Sequence, residues 1–190
     1  MAIPHANPIT IVGIGSSAGG LEPTIEFFKR VSPDTGFAFV VIQHLQADIL
    51  SQTAGILAEV TAMPVTAALD QELPRADHAY TMEPNTQLTI EGGRFQVRPR
   101  TEEPAHHKPF DRFLISLASD RRTRAIAVVL SGYDGDGSEG FVAIKAQGGT
   151  TYAQDHTALI SDMPSHAIAT GCVDHVMDAG RIAQHLSRRD

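Results

Sequence analysis

The amino-acid sequence predicts an α/β fold, a doubly wound, mainly parallel sheet with helices on both faces and a small antiparallel hairpin excursion. Three observations carry that expectation. Short β-type runs alternate with helix-type patterns through most of the chain, the signature of a helix-covered parallel sheet. The runs Ile9 to Ile14, Phe37 to Ile42 and Ala125 to Leu130 are apolar throughout, as strands buried on both faces must be. Each then passes into small or polar residues, at the sheet edge where open parallel sheets build their sites.

The elements follow in order. Ile9 to Ile14, closed by Gly15, is the first strand. Leu21, Ile25 and Phe28 recur at helical spacing with Phe27 and Val31 beside them. Glu22 and Pro23 suit that helix's first turn, and Lys29 and Arg30 its last. After the second strand, Asp48 is expected to cap a helix carrying Leu50, Ala54 and Leu57 on one face. Residues 63–98 change character, with short strands expected around Pro64 to Ala67, His78 to Met82 and Leu88 to Ile90. Glu91-Gly92-Gly93-Arg94 before Phe95 to Val97 signals a hairpin. This stretch is too short to bury a core of its own. It is expected as an antiparallel excursion within one domain spanning 9–190, after an N-terminal extension at 1–8. Phe110, Phe113, Leu114 and Leu117 then line a helix, Ala125 to Leu130 forms the third buried strand, and Phe141 and Ile144 mark a helix ended by Gly148-Gly149. Thr150 to Ala153 is expected as a strand and Arg181 to Leu186 as a closing helix.

Composition bounds the function. At 190 residues the chain fits one large domain, and size scaling buries about 70 % of its extended surface. Apolar residues at 42 % and charged residues at 19 % exclude intrinsic disorder. A net charge of −7 argues against nucleic-acid or anionic-membrane partners. The only basic cluster, Arg121-Arg122 with Arg124, reads as a solvated turn. Cys172, alone, cannot form an internal disulfide, which suits a reducing cytosol. Met1-Ala2-Ile3-Pro4-His5 does not resemble a signal peptide, and no apolar run reaches the ~20 residues that span a bilayer. A soluble cytoplasmic protein without membrane insertion is expected.

The chemistry lies at the strand ends. Gly15-Ser16-Ser17-Ala18-Gly19 matches G-x-S-x-G centred on Ser17, a strand-to-helix turn that holds a serine hydroxyl clear for attack. The helix after it aims N–H groups at a developing oxyanion. The same residues fit a dinucleotide fingerprint, Gly13-x-Gly15-x-x-Ala18, which requires a carboxylate at the end of the second strand for the ribose. That strand ends instead in Gln43-His44, and an imidazole cannot accept from the diol as a carboxylate does. His44 is, however, the base that a serine nucleophile needs. The third strand enters Ser131-Gly132-Tyr133-Asp134-Gly135-Asp136-Gly137-Ser138, which can supply an aspartate to orient the histidine. As a calcium loop starting at Asp134 it fails, with Glu139 at the glycine position and Lys145 at the glutamate position. Histidine and cysteine spacings for zinc are absent. Ser17, His44 and an aspartate of this loop together point to acyl transfer by a Ser-His-Asp triad.

These blocks together resemble the catalytic domain of CheB-type protein-glutamate methylesterases. The resemblance rests on Ile14-Gly15-Ser16-Ser17-Ala18-Gly19-Gly20, on Gln43-His44 and on His107-Lys108-Pro109. It continues through Leu130-Ser131-Gly132 to Asp136-Gly137, and through Met163-Pro164 followed by Ala167-Ile168-Ala169. It implies Ser17 as nucleophile, His44 as base, Asp136 as the orienting carboxylate and the Tyr133 amide as an oxyanion donor, with Ala18 lining the site. The implied reaction is hydrolysis of glutamate methyl esters on the cytoplasmic helices of chemoreceptors, with glutamine deamidation as a second activity and no metal or organic cofactor.

Two departures bear on activity. The family usually has threonine where Ala18 stands and glycine where Asp134 stands. Asp134 is expected to alter a backbone φ that glycine permits and to add negative charge favouring the imidazolium of His44. A catalytically weakened signalling module of the same fold, within a larger fusion protein, is therefore the alternative. Well-known members carry a receiver domain, for which these 190 residues show no sequence. Leu21-Glu22-Pro23, Phe39 to Leu45 and Ile168-Ala169-Thr170-Gly171 look closer to the N-terminal domains of methylesterase–methyltransferase hybrids, so a fused or associated methyltransferase domain is an expected partner.

Among the remaining residues, Asp111 is expected to cap the helix it begins, and Cys172 to be small and buried. Met163 is a packing residue that could line the cleft. His106 and His107 are expected in an exposed loop, and Glu102-Glu103 as solvated charge.

Overall fold

The computed structural model describes residues 9–43, 47–101 and 108–188. The expected extension at 1–8, His44, Glu102-Glu103, His106 and His107 lie outside the described residues. Nine strands and six α-helices are described. The strands are β1 (Ile11–Ser16), β2 (Ala38–Gln43), β3 (Val65–Ala67), β4 (His78–Thr81), β5 (Thr86–Glu91), β6 (Arg94–Pro99), β7 (Ala125–Val129), β8 (Thr150–Gln154) and β9 (His175–Met177). The helices are α1 (Leu21–Arg30), α2 (Ala47–Ala58), α3 (Pro109–Arg121), α4 (Ser138–Ala146), α5 (Asp162–Ala169) and α6 (Ala179–Ser187). Among the described residues no helix is long and apolar enough to cross a membrane.

Seven strands form one sheet in the order β3-β4-β2-β1-β7-β8-β9, every neighbouring pair parallel. From β1 the chain works outward through β2 to β4 and β3, then returns to build β7, β8 and β9 on the other side. The order thus reverses between β1 and β7, which opens a crevice at their carboxyl ends. Residues 63–98 divide: β3 and β4 join the main sheet in parallel, and only β5 and β6 form the antiparallel pair.

The central strands are buried on both faces, which is why their sequences are continuously apolar. Ile11, Val40 and Ile42 face a core built with Phe110, Phe113, Leu114 and Phe141 of α3 and α4. Val12, Ile14, Phe39 and Val41 face the opposite core with Phe27 and Phe28 of α1 and Ile182 and Leu186 of α6. Gly15 permits the closest approach in the first core. A Cβ there would stand 2.2 Å from the Phe110 ring, so α3 can lie on β1 only because that side chain is absent.

Four local expectations change. α2 starts at Ala47, so Asp48 falls in its first turn rather than ahead of it. Arg121 is not solvated: its side chain is 9 % exposed, pairs with Asp120, and donates to the Gly93 carbonyl at 3.4 Å across the hairpin. Cys172 is half-buried rather than buried. Asp111 is buried and caps a different helix from its own, as described below.

Candidate active site

β1 and β7 deliver their loops side by side. Pairing outlasts the strands, with the Leu130 N–H donating to the Gly15 carbonyl at 2.9 Å and the Ser17 N–H to the Ser131 carbonyl at 3.0 Å. The Gly20 N–H then closes the turn on the Ser17 carbonyl at 3.0 Å, and α1 begins at once. Ser17 is therefore fixed through its main chain. Gly132 lies directly against it: a Cβ on Gly132 would be 2.9 Å from Ser17 Cβ and 2.2 Å from Met163 Sδ. Met163 is 1 % exposed, a packing residue behind the loop.

Ser131, fully buried, joins three segments. Its N–H donates to Gln154 Oε1 at 3.0 Å, and its hydroxyl donates to the Ala18 carbonyl at 3.1 Å while accepting from the Ile160 N–H at 3.0 Å. On the other side of β1, Ser16 is register partner of Gln43. Gln43 Nε2 donates to Ser16 Oγ at 3.3 Å, and its Oε1 accepts from Thr53 Oγ1 at 2.7 Å. The last residue of β2 is thereby tied to the Ser17 turn.

Asp136 is 2 % exposed. Its two oxygens accept from the N–H groups of Phe110 (3.1 Å) and Asp111 (2.8 Å), so this carboxylate caps the amino end of α3. Burial pushes its pKa up to about 7, the two amide donors pull the other way, and the charges of Asp111 and Asp134 add to the rise. Asp134 has φ 64°, the left-handed conformation that a glycine would take freely. Its Oδ1 accepts from the Asp136 N–H at 2.8 Å, a side-chain turn that aspartate forms readily. The expected disturbance of φ is thus absorbed by the residue's own chemistry. Tyr133, beside it, is 56 % exposed. Among the described residues the Tyr133 and Ala18 N–H groups make no backbone hydrogen bond.

A cleft of about 600 Å³ opens beside Ser17, lined by Ala18, Leu21, Pro23, Thr157 and Leu159. Leu159 is 80 % exposed at its lip. Sequence reading missed this wall, because Thr157 and Leu159 sit in the loop after β8 with no periodic signal. Among the described residues no group of three or more histidine, cysteine or carboxylate side chains is placed to hold a metal. Of the expected site residues, the structure brings together the turn of Ser17 and Ala18 and the loop of Tyr133 and Asp136.

Comparison with known proteins gives a consistent picture. A family model described as CheB methylesterase matches residues 12–186. A protein-glutamate methylesterase/protein-glutamine glutaminase of Rhizobium meliloti is 32 % identical over 183 residues, which is 95 % of this chain and 51 % of that protein. The protein-glutamate methylesterase/protein-glutamine glutaminase 1 of Myxococcus xanthus is 29 % identical over 98 % of this chain and 55 % of its own length. An uncharacterized 104.1 kDa protein of Rhodobacter capsulatus is 38 % identical over 72 % of this chain but only 15 % of its own length. The chain therefore spans about half the length of the methylesterases it matches, and less of the longer protein. Among solved structures, the Thermotoga maritima CheB methylesterase catalytic domain superposes with a TM-score of 0.85 at 27 % identity, covering 93 % of this chain and 96 % of that one.

Proposed function

The chain belongs to the CheB methylesterase family, and we propose that it is a serine hydrolase that removes methyl esters from glutamate side chains of chemoreceptors and deamidates glutamines there. The observation that carries this reading is the junction of the two strand-end loops, where the Ser17 turn is bonded to Ser131 and packed on Gly132.

In the reaction, Ser17 Oγ attacks the γ-ester carbonyl while His44 takes the hydroxyl proton. The tetrahedral oxyanion is met by the Tyr133 N–H. His44 then returns the proton to the methoxide leaving group as methanol departs, and Asp136 steadies the intervening imidazolium. Water, deprotonated by His44, attacks the acyl-enzyme and releases the glutamate carboxylate and free Ser17. A buried carboxylate with a raised proton affinity makes this apparatus pH-sensitive, because its stabilising charge fades as pH falls below about 7. The apolar cleft beside Ser17 would take the substrate surface flanking the ester. The partners under this reading are methylated cytoplasmic receptor helices and, in a longer chain, a methyltransferase domain. The working compartment is the cytoplasm.

Methanol release from methylated receptor and labelling by a fluorophosphonate test the reading together. Ser17→Ala should abolish both, lowering turnover about 10⁴-fold or more. A wild-type chain that labels nothing and releases no methanol would instead support the weakened signalling module.

A further inference from the structure

α3 and α4 exchange carboxylates. Asp136, in the loop that leads into α4, accepts from the first-turn amides of α3. Asp111, in the first turn of α3, sends its own carboxylate back: Oδ1 accepts from the Gly140 N–H, in the first turn of α4, at 2.8 Å. One residue thus donates its amide to Asp136 and satisfies the helix that follows Asp136. Both carboxylates are 2 % exposed.

We propose that Asp111 is a positioning residue of the hydrolytic site, holding the Asp136 loop in register with the α3 terminus and setting the charge that the loop's carboxylate and the base feel. The inference rests on the triad reading of Asp136. Capping alone does not explain Asp111. A buried carboxylate is costly, and a neutral acceptor would serve Gly140 equally well. Among the described residues its Oδ2 is buried without a hydrogen bond of good geometry and is ion-paired with Lys108 Nζ at 3.6 Å, and Lys108 is shared with Glu139 at 3.3 Å. Burial accordingly raises the proton affinity of Asp111 as well. What the carboxylate adds over a neutral cap is negative charge beside Asp136.

Among the described residues, Asp134 of its own loop and Asp111 of α3 bear on Asp136 by charge, while Lys108 just before α3 pairs with Asp111 and with Glu139 of α4, and His166 of α5 lies against the same loop. The His166 ring packs on Gly135. His44 is the proposed base. Removing the Asp111 charge lowers the proton affinity of every neighbouring acid, so Asp136 and an adjacent imidazolium shift the same way. Removing the Lys108 charge shifts both the opposite way.

The test is the rate of fluorophosphonate labelling of the full chain as a function of pH, with thermal melting in parallel. Asp111→Asn should label about tenfold more slowly on the plateau, with the acid limb moved about one unit to lower pH. Lys108→Met, at a half-exposed position, should move the limb by about half a unit to higher pH. An Asp111→Asn protein that folds and labels with the wild-type plateau and limb overturns the proposal. So does a lower melting temperature with the limb unmoved, since that is the result of a helix cap alone. Should Asp111→Asn not fold, Lys108→Met decides, and an unmoved limb overturns the proposal. Ser17→Ala in the same assay separates the two readings. Residual labelling there defeats the serine mechanism, whereas loss there with unshifted limbs in the other variants defeats only the role of Asp111.

Discussion

The turn after β1 and the loop after β7 meet at one crevice, yet they lean on different means. The Ser17 turn is fixed chiefly by main-chain hydrogen bonds and small neighbours, with bonds through Ser131, Gly20 and Gly15, and the Ser131 hydroxyl and Gln43 amide brace its flanks. The Asp136 loop is fixed by side chains, through buried carboxylates exchanged with helix termini. Ser17, the proposed nucleophile, is held by its backbone and can be replaced without disturbing its support. Asp136, proposed as the orienting group and observed as a helix cap, cannot. The difference predicts that the two functions will separate from stability in one region and remain coupled in the other.

The largest effects test that contrast directly. Ser17→Ala and Asp136→Asn should each cost about 10⁴-fold in turnover, but only the second should change how stability depends on pH. In the folded protein Asp136 binds its proton up to about pH 7, against 3.8 as its ordinary value. The folded state therefore holds more protons than the unfolded state between those values, and stability falls as pH rises through that window. Chemical denaturation at several pH values should show a shallower fall for Asp136→Asn than for wild type, the remainder coming from Asp111, whose proton affinity is also raised. Ser17→Ala should follow the wild-type curve. Equal slopes in all three proteins would mean that Asp136 is not the buried acid described.

Next in size is Gly132→Ala, which strikes the join between the regions. The new methyl would stand 2.2 Å from Met163 Sδ and 2.9 Å from Ser17 Cβ. Met163 can swing its thioether, but Ser17 Cβ is anchored to a main chain bonded on both sides. We expect a loss of about 1–3 kcal/mol in stability, measured by denaturation, and turnover down about 100-fold from a misplaced nucleophile. Unchanged turnover would show that the Ser17 turn yields more easily than its hydrogen bonds suggest.

The same contrast explains what the sequence could reveal. β1, β2 and β7 were legible because burial on both faces forces continuous apolar runs. The turn of Ser17 and the loop of Asp134 and Asp136 were legible as strand-end segments because they follow such runs, whereas the choice of Asp136 within that loop came from the family resemblance. β9 was not legible, since a three-residue strand with an exposed Val176 between two half-buried residues carries no pattern. α5 was missed although Pro164 in its first turn was a usable signal. The parallel docking of β3 and β4 depends on a partner strand distant in the chain, and local composition suggested a hairpin instead. Asp111 looked like the cap of its own helix because its proximity to α4 exists only after folding. Arg121 looked solvated for the same reason, since the hairpin that covers it lies 28 residues away in sequence. Side chains that act through backbone position were readable, and those that act through tertiary exchange of charge were not.

The smallest effect comes from Tyr133. Its proposed contribution is a main-chain N–H, and its side chain is 56 % exposed. Tyr133→Ala keeps the amide, removes a ring that rests on solvent, and leaves Asp134 and Asp136 bonded to each other. Surface truncation of this kind costs within about 0.5 kcal/mol of stability. Turnover of a small methyl-ester probe should stay within about threefold of wild type, because an oxyanion donor acts through its N–H and not through its side chain. Activity on intact methylated receptor should fall further if the exposed ring also touches the substrate helix, so the ratio of the two rates separates oxyanion binding from docking. A hundredfold loss on the small probe would contradict the main-chain role and make the phenol ring itself part of the chemistry.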